Sequence, residues 1–141
     1  MNIVDVFEGT KKEREIAKSA VEWCIKKLMP RMQTLEIEVE FEDIDEFGFC
    51  YMGNDNREFY ISLKKNMSLY DLISTVCHEM VHVKQFARKE LRDLGHTVRL
   101  WKNELYNSNI EYAQRPWEKE AFALEEKMAL ECFQEISVTA S

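Results

Sequence analysis

The spacing of apolar residues changes along the chain, and each change predicts a different element. Between residues 10 and 29 they recur every three or four positions, which is typical of a helix with one buried face. Thr10 and Glu13 have the spacing of a capping box at its start, and Pro30 ends it. Between residues 34 and 42 apolar residues alternate strictly with glutamates, which predicts a strand with one solvated face.

Two further strands are predicted in the first half of the chain. Aromatic and apolar residues at 47–51 and at 59–63 favour extended structure, and the turn-forming residues at 53–56 join them as a hairpin. We therefore expect an N-terminal helix followed by a small, mainly antiparallel sheet of three strands.

Helical spacing dominates the second half. A long helix is predicted over about residues 68–93, with Ser68 as its N-cap and Gly95 just beyond its end. Residues 96–115 are irregular apart from a short strand near 98–101, and Pro116 begins a last helix over about 116–136. A chain of 141 residues is long enough for one domain with a core, so we expect a single α+β domain spanning 1–141.

Charge and cysteine content narrow the classes of function. The formal net charge of −7 argues against nucleic-acid binding by the whole surface, although a local basic stripe keeps DNA association open. The stripe consists of Lys84, Arg88, Lys89, Arg92, Arg99 and Lys102. The four cysteines form no C-x-x-C pair, which indicates reduced, buried thiols. Neither a signal peptide nor a membrane-spanning run is visible, so we expect a cytoplasmic protein without membrane association.

The motif with the most specific chemistry is His78-Glu79-Met80-Val81-His82, which reads H-E-x-x-H within the predicted long helix. Residues four apart share one helical face, so both imidazoles can reach one Zn²⁺ ion. Glu79 points roughly 100° away from His78, close to the metal without binding it. That is the position of a general base acting on a metal-activated water.

A catalytic zinc site needs a third protein ligand, and the sequence offers His96, Glu118 and Glu120. His96 is roughly four helical turns beyond His82, about 20 Å along the axis unless the chain folds back. The metzincin spacing would require a glycine and a histidine where the chain has Gln85 and Arg88. Between the two acids, Glu118 shares the apolar face of the last helix and is favoured over Glu120.

The H-E-x-x-H motif, together with Gln85, Tyr112 and the run Pro116-Trp117-Glu118-Lys119-Glu120-Ala121, resembles small zinc metallopeptidases of the gluzincin type. They are SprT-like in the loose sense, and several are encoded by bacteriophages. The resemblance covers about residues 68–130. It implies a zincin-like fold and a Glu ligand at Glu118. Thermolysin-like gluzincins carry an Asp four residues after that ligand, where this chain has Phe122, so the group orienting a histidine must come from elsewhere. The zinc ribbon common in SprT proteins is absent.

These observations predict a zinc metalloendopeptidase in which His78, His82 and Glu118 bind the metal and Glu79 is the base. A protein or peptide substrate could add as a strand to residues 47–53 or 57–63. Tyr112 or Tyr106 could stabilise the oxyanion. The alternatives are a non-catalytic protein-binding module, its zinc closed by Glu120 or His96, and a DNA-associated protease using the basic stripe.

Overall fold

A computed structural model describes residues 1–95, 97–107 and 109–140, the side chains of 137–140 excepted. The described residues form a mixed α+β structure with three helices and two sheets. The helices are α1 (Lys11–Leu28), α2 (Leu69–Ala87) and α3 (Pro116–Ala140). The strands are β1 (Ile3–Phe7), β2 (Glu36–Glu42), β3 (Gly48–Met52), β4 (Glu58–Lys64), β5 (Leu91–Asp93), β6 (Val98–Trp101) and β7 (Glu104–Asn107).

The larger sheet has four strands in the order β1-β2-β4-β3, so the expectation of three mainly antiparallel strands was wrong. β1 pairs with β2 and β2 with β4 in parallel, and only β3 and β4 form the predicted antiparallel hairpin. The parallel pair arises because α1 carries the chain from β1 back to the start of β2, as a β-α-β crossover does. The chain then passes through β3 at the edge before β4 enters beside β2.

The smaller sheet joins α2 to α3 and consists of β5, β6 and β7, paired antiparallel. Only the strand near 98–101 was predicted. The predicted helix over 68–93 was too long, because α2 ends at Ala87 and Lys89 adopts a left-handed conformation with φ of 59°. Leu91, counted among the helical apolar positions, instead pairs with Trp101 in this sheet. Gly95 is therefore not the residue that ends α2.

The helix starts follow the sequence closely. Thr10 accepts a hydrogen bond from the backbone N–H of Glu13, and the Glu13 carboxylate accepts one from the backbone N–H of Thr10, which confirms the capping box. Ser68 caps α2 by accepting from the N–H of Asp71. The last helix begins at Pro116 as predicted and continues to Ala140.

α2 is the most deeply buried helix, and it packs against α1, α3 and both β3 and β4. Cys24 of α1, Cys77 of α2 and Cys132 of α3 meet where the three helices approach, all of them fully buried. The Sγ atoms of Cys24 and Cys77 are 3.8 Å apart. All four cysteines are free thiols, as predicted, although Cys50 is only partly buried. No helix in the described part of the chain combines the length and apolar character needed to cross a bilayer.

Candidate metal centre

The two histidines of the H-E-x-x-H motif and one acid of α3 meet at the buried face between α2 and α3. His78 Nε2 is 3.2 Å, and His82 Nε2 is 3.1 Å, from Glu118 Oε1. Their residues are 7%, 9% and 8% exposed in that order. Since one atom from each lies within 4.8 Å of the others, this buried group can hold a metal ion.

The two nitrogen-to-oxygen separations are close to those between neighbouring ligands of one metal ion. Ligand bonds of 2.0–2.1 Å at tetrahedral angles place neighbouring ligand atoms about 3.3–3.4 Å apart. The two nitrogen-to-oxygen distances, 3.2 and 3.1 Å, are close to that edge length and longer than the 2.9 Å typical of an N–H···O hydrogen bond. Small outward movements of the side chains would therefore admit an ion.

The hydrogen bonds of Gln85 determine which nitrogen of His82 faces the cluster. The Gln85 amide nitrogen donates to the Trp117 carbonyl at 2.9 Å and to Glu120 Oε1 at 3.1 Å, so its oxygen must face His82. That oxygen accepts from His82 Nδ1 at 2.9 Å, which requires the proton on Nδ1. In neutral His82 the Nε2 lone pair then points at the Glu118 carboxylate. Such an arrangement is repulsive unless a proton or a metal ion lies between them.

His78 has a different environment on its outer side. Its Nδ1 atom is buried without a hydrogen bond among the described residues, and the Glu125 carboxylate is 3.7 Å from it. Ser74 donates a hydrogen bond of 3.1 Å to the other Glu125 oxygen and so orients that group. Phe122 packs its ring 4.8 Å from the His78 ring, centroid to centroid.

Electrostatics bind the cluster together in the absence of a metal ion. Burial by itself raises the pKa of Glu118, but hydrogen bonds from His78 and His82 hold it well below its usual range. Burial by itself lowers the pKa of His78, but the contacts with Glu118 and Glu125 outweigh it and raise that pKa to about 10. The pKa of His82 is raised by the same contact with Glu118. A metal ion would therefore replace protons on the imidazoles.

Glu79 lies beside the three clustered side chains and is not one of them. It is buried, and that burial raises its pKa despite the neighbouring histidines. It lines a cavity of about 190 Å³ together with Gly48, Tyr112 and His78. A buried carboxylate with a raised pKa, open to a cavity next to two histidines, has the properties of a proton acceptor.

Of the remaining candidate residues, Tyr112 contacts the cluster, and Tyr106 and Glu120 do not. The Tyr112 hydroxyl donates a hydrogen bond of 2.8 Å to Glu118 Oε1, whereas Tyr106 bonds Glu104 and lies outside the cluster. Glu120 Oε1 is 2.9 Å from Lys84 Nζ, and Gln85 also contacts it, so Glu120 faces away from the two imidazoles. The structure thus brings together His78, His82, Glu118, Glu79 and Tyr112. His96 lies outside the described residues.

The basic stripe predicted from the sequence is interrupted. Lys84 is only partly exposed and pairs with Glu90 at 2.8 Å as well as with Glu120. Arg88 donates to the Leu28 carbonyl at the end of α1, beside a cavity of about 730 Å³ that it lines with Arg57. Arg57 in turn donates to the Ala87 carbonyl. These arginines satisfy carbonyls at helix ends, which gives them a structural role.

β3 forms one wall of a cleft over the clustered residues. It is the last strand of its sheet, so its outer edge is not paired with another described strand, whereas β4 lies between β2 and β3. Of the two segments predicted to accept a substrate strand, 57–63 is therefore excluded and 47–53 keeps a free edge. Gly48 permits the close approach of β3 to α2, because a Cβ atom there would lie 2.8 Å from Thr75 Cγ2.

Gln85 contacts the candidate metal centre, although the sequence analysis gave it no role there. The signal that could have identified it is its position three residues after His82 on the same helical face. A scan against protein-family models and searches of curated proteins and of solved structures found no match. A functional assignment therefore rests on the residues and their geometry.

Proposed function

We propose that the protein is a zinc-dependent peptidase with a zincin-like arrangement. The observation that carries the proposal is the convergence of His78, His82 and Glu118 in one buried cluster, with Glu79 beside it in a cavity. The arrangement of an edge strand, a cleft and a helix bearing H-E-x-x-H supports the zincin-like classification.

The donor set favours zinc. Two imidazole nitrogens and one carboxylate oxygen are the ligands of many catalytic zinc sites, which keep one coordination position open. Gln85 supports this assignment, since it fixes the tautomer of His82 in the way that carbonyl and carboxylate partners orient metal-binding histidines. Zinc in such a site supplies Lewis-acid polarisation of a carbonyl oxygen and lowers the pKa of a water to about 7.

In this proposal Glu79 is the proton carrier. It accepts a proton from the attacking water as the oxygen adds to the peptide carbonyl, and it delivers that proton to the amine nitrogen as the C–N bond breaks. Its raised pKa brings it closer to the operating pH, which favours both steps. Tyr112, whose hydroxyl already reaches the cluster, is positioned to donate a hydrogen bond to the developing oxyanion.

The free edge of β3 is the proposed docking site for substrate. An extended peptide pairing with this edge would lie across the cleft, with backbone hydrogen bonds supplying affinity independently of sequence. A protein or unfolded peptide is therefore the substrate class that the cleft fits best.

An open fourth position distinguishes an enzyme from a structural zinc module. A structural site would need a fourth protein ligand, and Glu120 is instead engaged by Lys84 and Gln85. The pairing of Lys84 likewise weakens the alternative of a DNA-associated protease, which needs an uninterrupted basic surface.

The test combines metal analysis with a peptidase assay on the protein and its Glu79→Gln variant. We expect one zinc per chain in both proteins, hydrolysis of unfolded peptides by the unsubstituted protein, and a loss of at least roughly a hundredfold in kcat for the variant. Glu126→Gln, at an exposed position of α3, is the matched control and should keep both zinc and activity. Protein that cannot bind zinc, or a Glu79→Gln variant with full activity, would refute the proposal.

A further inference from the structure

A second cavity, of about 320 Å³, lies next to the clustered residues on the side of His82. Its walls come from the edge strand β3, from the end of α2, from the smaller sheet and from the turn before α3. The residues that bear on its chemistry are Asp93, Arg99, Arg115, Trp117 and Glu118. A peptide lying along β3 over the cluster would place a side chain or a chain terminus in this cavity.

Arg99 is held in position without a carboxylate partner. Its guanidinium carbon lies 5.4 Å from the ring centroid of Trp117 and 6.0 Å from that of Phe86, so two aromatic faces support it. Asp93 is opposite it in the antiparallel register of β5 and β6. Even so, no carboxylate in the described part of the chain is within 4.0 Å of this guanidinium. Its N–H groups therefore remain available to an acceptor in the cavity.

Arg115 is restrained in a similar way. Its Nε atom donates to the Ile110 carbonyl at 3.1 Å, and its guanidinium carbon is 5.5 Å from the Tyr112 ring centroid. Among residues 1–95, 97–107 and 109–136 it forms no ion pair. Both arginines are half-buried, so their orientation is fixed more firmly than that of an exposed side chain.

The cavity on the opposite side of the cluster has the contrary character. It is lined by Glu79, Glu125, His78 and aromatic rings, and by no lysine or arginine of the described chain. The cavity on the His82 side is lined by two guanidinium groups and by two carboxylates, Asp93 and Glu118. The charge of Glu118 is compensated by its contacts with the histidines and Tyr112. The permanent guanidinium charges that line the cleft are therefore at its His82 end.

We propose that Arg99 and Arg115 form a carboxylate-binding subsite beside the metal centre. The planar guanidinium group matches a carboxylate in two parallel hydrogen bonds, which is the geometry that arginine offers and lysine does not. The carboxylate comes from an acidic side chain near the scissile bond or from the free C-terminus of the peptide. This inference rests on the proposed peptidase function and names its substrate class: peptides with an acidic group at the His82 end of the cleft.

The test begins with zinc-loaded protein and mixed peptide libraries, one with free C-termini and one with amidated C-termini. Enrichment of Asp and Glu next to the cleavage site in both libraries identifies the side chain as the source. Cleavage confined to the last residues of the free-acid library identifies the C-terminus. Cleavage without either preference overturns the subsite and leaves the peptidase proposal intact.

The arginines are then tested with the preferred peptide and a matched peptide in which the carboxylate is replaced by its amide. We expect the acidic peptide to have a kcat/KM roughly tenfold higher, the effect of one charge-assisted pair in a partly solvated cavity. Arg99→Gln and Arg115→Gln should each reduce that ratio to about two or less. Arg92→Gln, on an exposed position of β5, is the control and should keep the full ratio.

The Arg99→Glu variant distinguishes a specific effect on the subsite from misfolding, because a misfolded protein cannot acquire a new substrate preference. It should favour a peptide with lysine in place of the acid, and an unchanged acid preference in this variant would overturn the subsite. If zinc-loaded protein hydrolyses no peptide, the peptidase proposal fails and the subsite is measured by calorimetry instead. Binding of a capped glutamate peptide more tightly than its glutamine counterpart would then support the subsite, and equal or absent binding would overturn it.

Discussion

Replacement of Gln85 by methionine should weaken zinc binding without removing a ligand. Gln85 is fully buried, and its oxygen accepts the Nδ1–H of His82 at 2.9 Å. Methionine has a similar length but cannot accept that bond effectively, so the imidazole loses its fixed tautomer and orientation. Removal of such a partner typically costs ten- to a hundredfold in metal affinity, about 1.4–2.8 kcal/mol. The Trp117 carbonyl also loses its donor, so we expect about 2 kcal/mol of lost stability.

Competition with a chromophoric chelator measures the zinc affinity, and thermal unfolding of the metal-free protein measures the stability. Nuclear magnetic resonance adds a signature specific to orientation, since the Nδ1–H signal of His82 should be protected in the unsubstituted protein and lost in Gln85→Met. Gln114→Met carries the same substitution at an exposed position and should leave all three measurements unchanged. A Gln85→Met protein that binds zinc as tightly as the unsubstituted chain would refute the role assigned to Gln85.

Three further predictions concern the cluster itself. In chelator competition, Glu118→Gln should weaken zinc binding more than Gln85→Met does, whereas Glu120→Gln should leave the zinc affinity within about threefold. In calorimetry, Glu120→Gln should lower the Tm by roughly 3 °C because its ion pair with Lys84 is lost. Folding raises the pKa of His78 from 6.5 to about 10, so its protonated form stabilises the metal-free fold fully below pH 6.5, and this stability is lost as the pH rises through 10. The Tm measured in chelator should therefore fall over this range, whereas the Tm of zinc-loaded protein should fall less. Tyr112→Phe should keep zinc but reduce kcat at least roughly tenfold, and an unchanged kcat would remove it from the mechanism.

Local patterns predicted individual elements well, but not how the strands are ordered. The capping box at Thr10, the N-cap at Ser68 and the start at Pro116 depend on neighbouring residues, and all three are found in the structure. β1 was missed because only Val4 of its five residues is buried, so it lacks the alternation that revealed β2. The parallel pairing of β2 with β4 depends on contacts distant in sequence, which periodicity does not report.

The candidate site was predictable where helical spacing determines which residues share a face. The four-residue spacing of His78 and His82 places them on a shared face. The facing of α3 favoured Glu118 over Glu120 as the third ligand, and in the structure Glu118 lies against the two imidazoles whereas Glu120 pairs with Lys84. Both arginines of the second cavity were beyond reach. Arg99 lies on the strand predicted near 98–101, but its packing on Trp117 depends on residues distant in sequence. Arg115 lies in the turn before α3, where the sequence predicted no regular element.

The contact between Cys24, Cys77 and Cys132 allows the opening of the fold to be followed by the rate at which these thiols are modified. Their thiols are sealed from solvent, and the contact with Cys77 together with burial raises the pKa of Cys132, which suppresses its reactive thiolate. An alkylating reagent can modify them only after α1 or α3 separates from α2. Because the candidate ligands lie on α2 and α3, the slowing of that modification by added zinc would measure how strongly the metal stabilises the contact between these two helices.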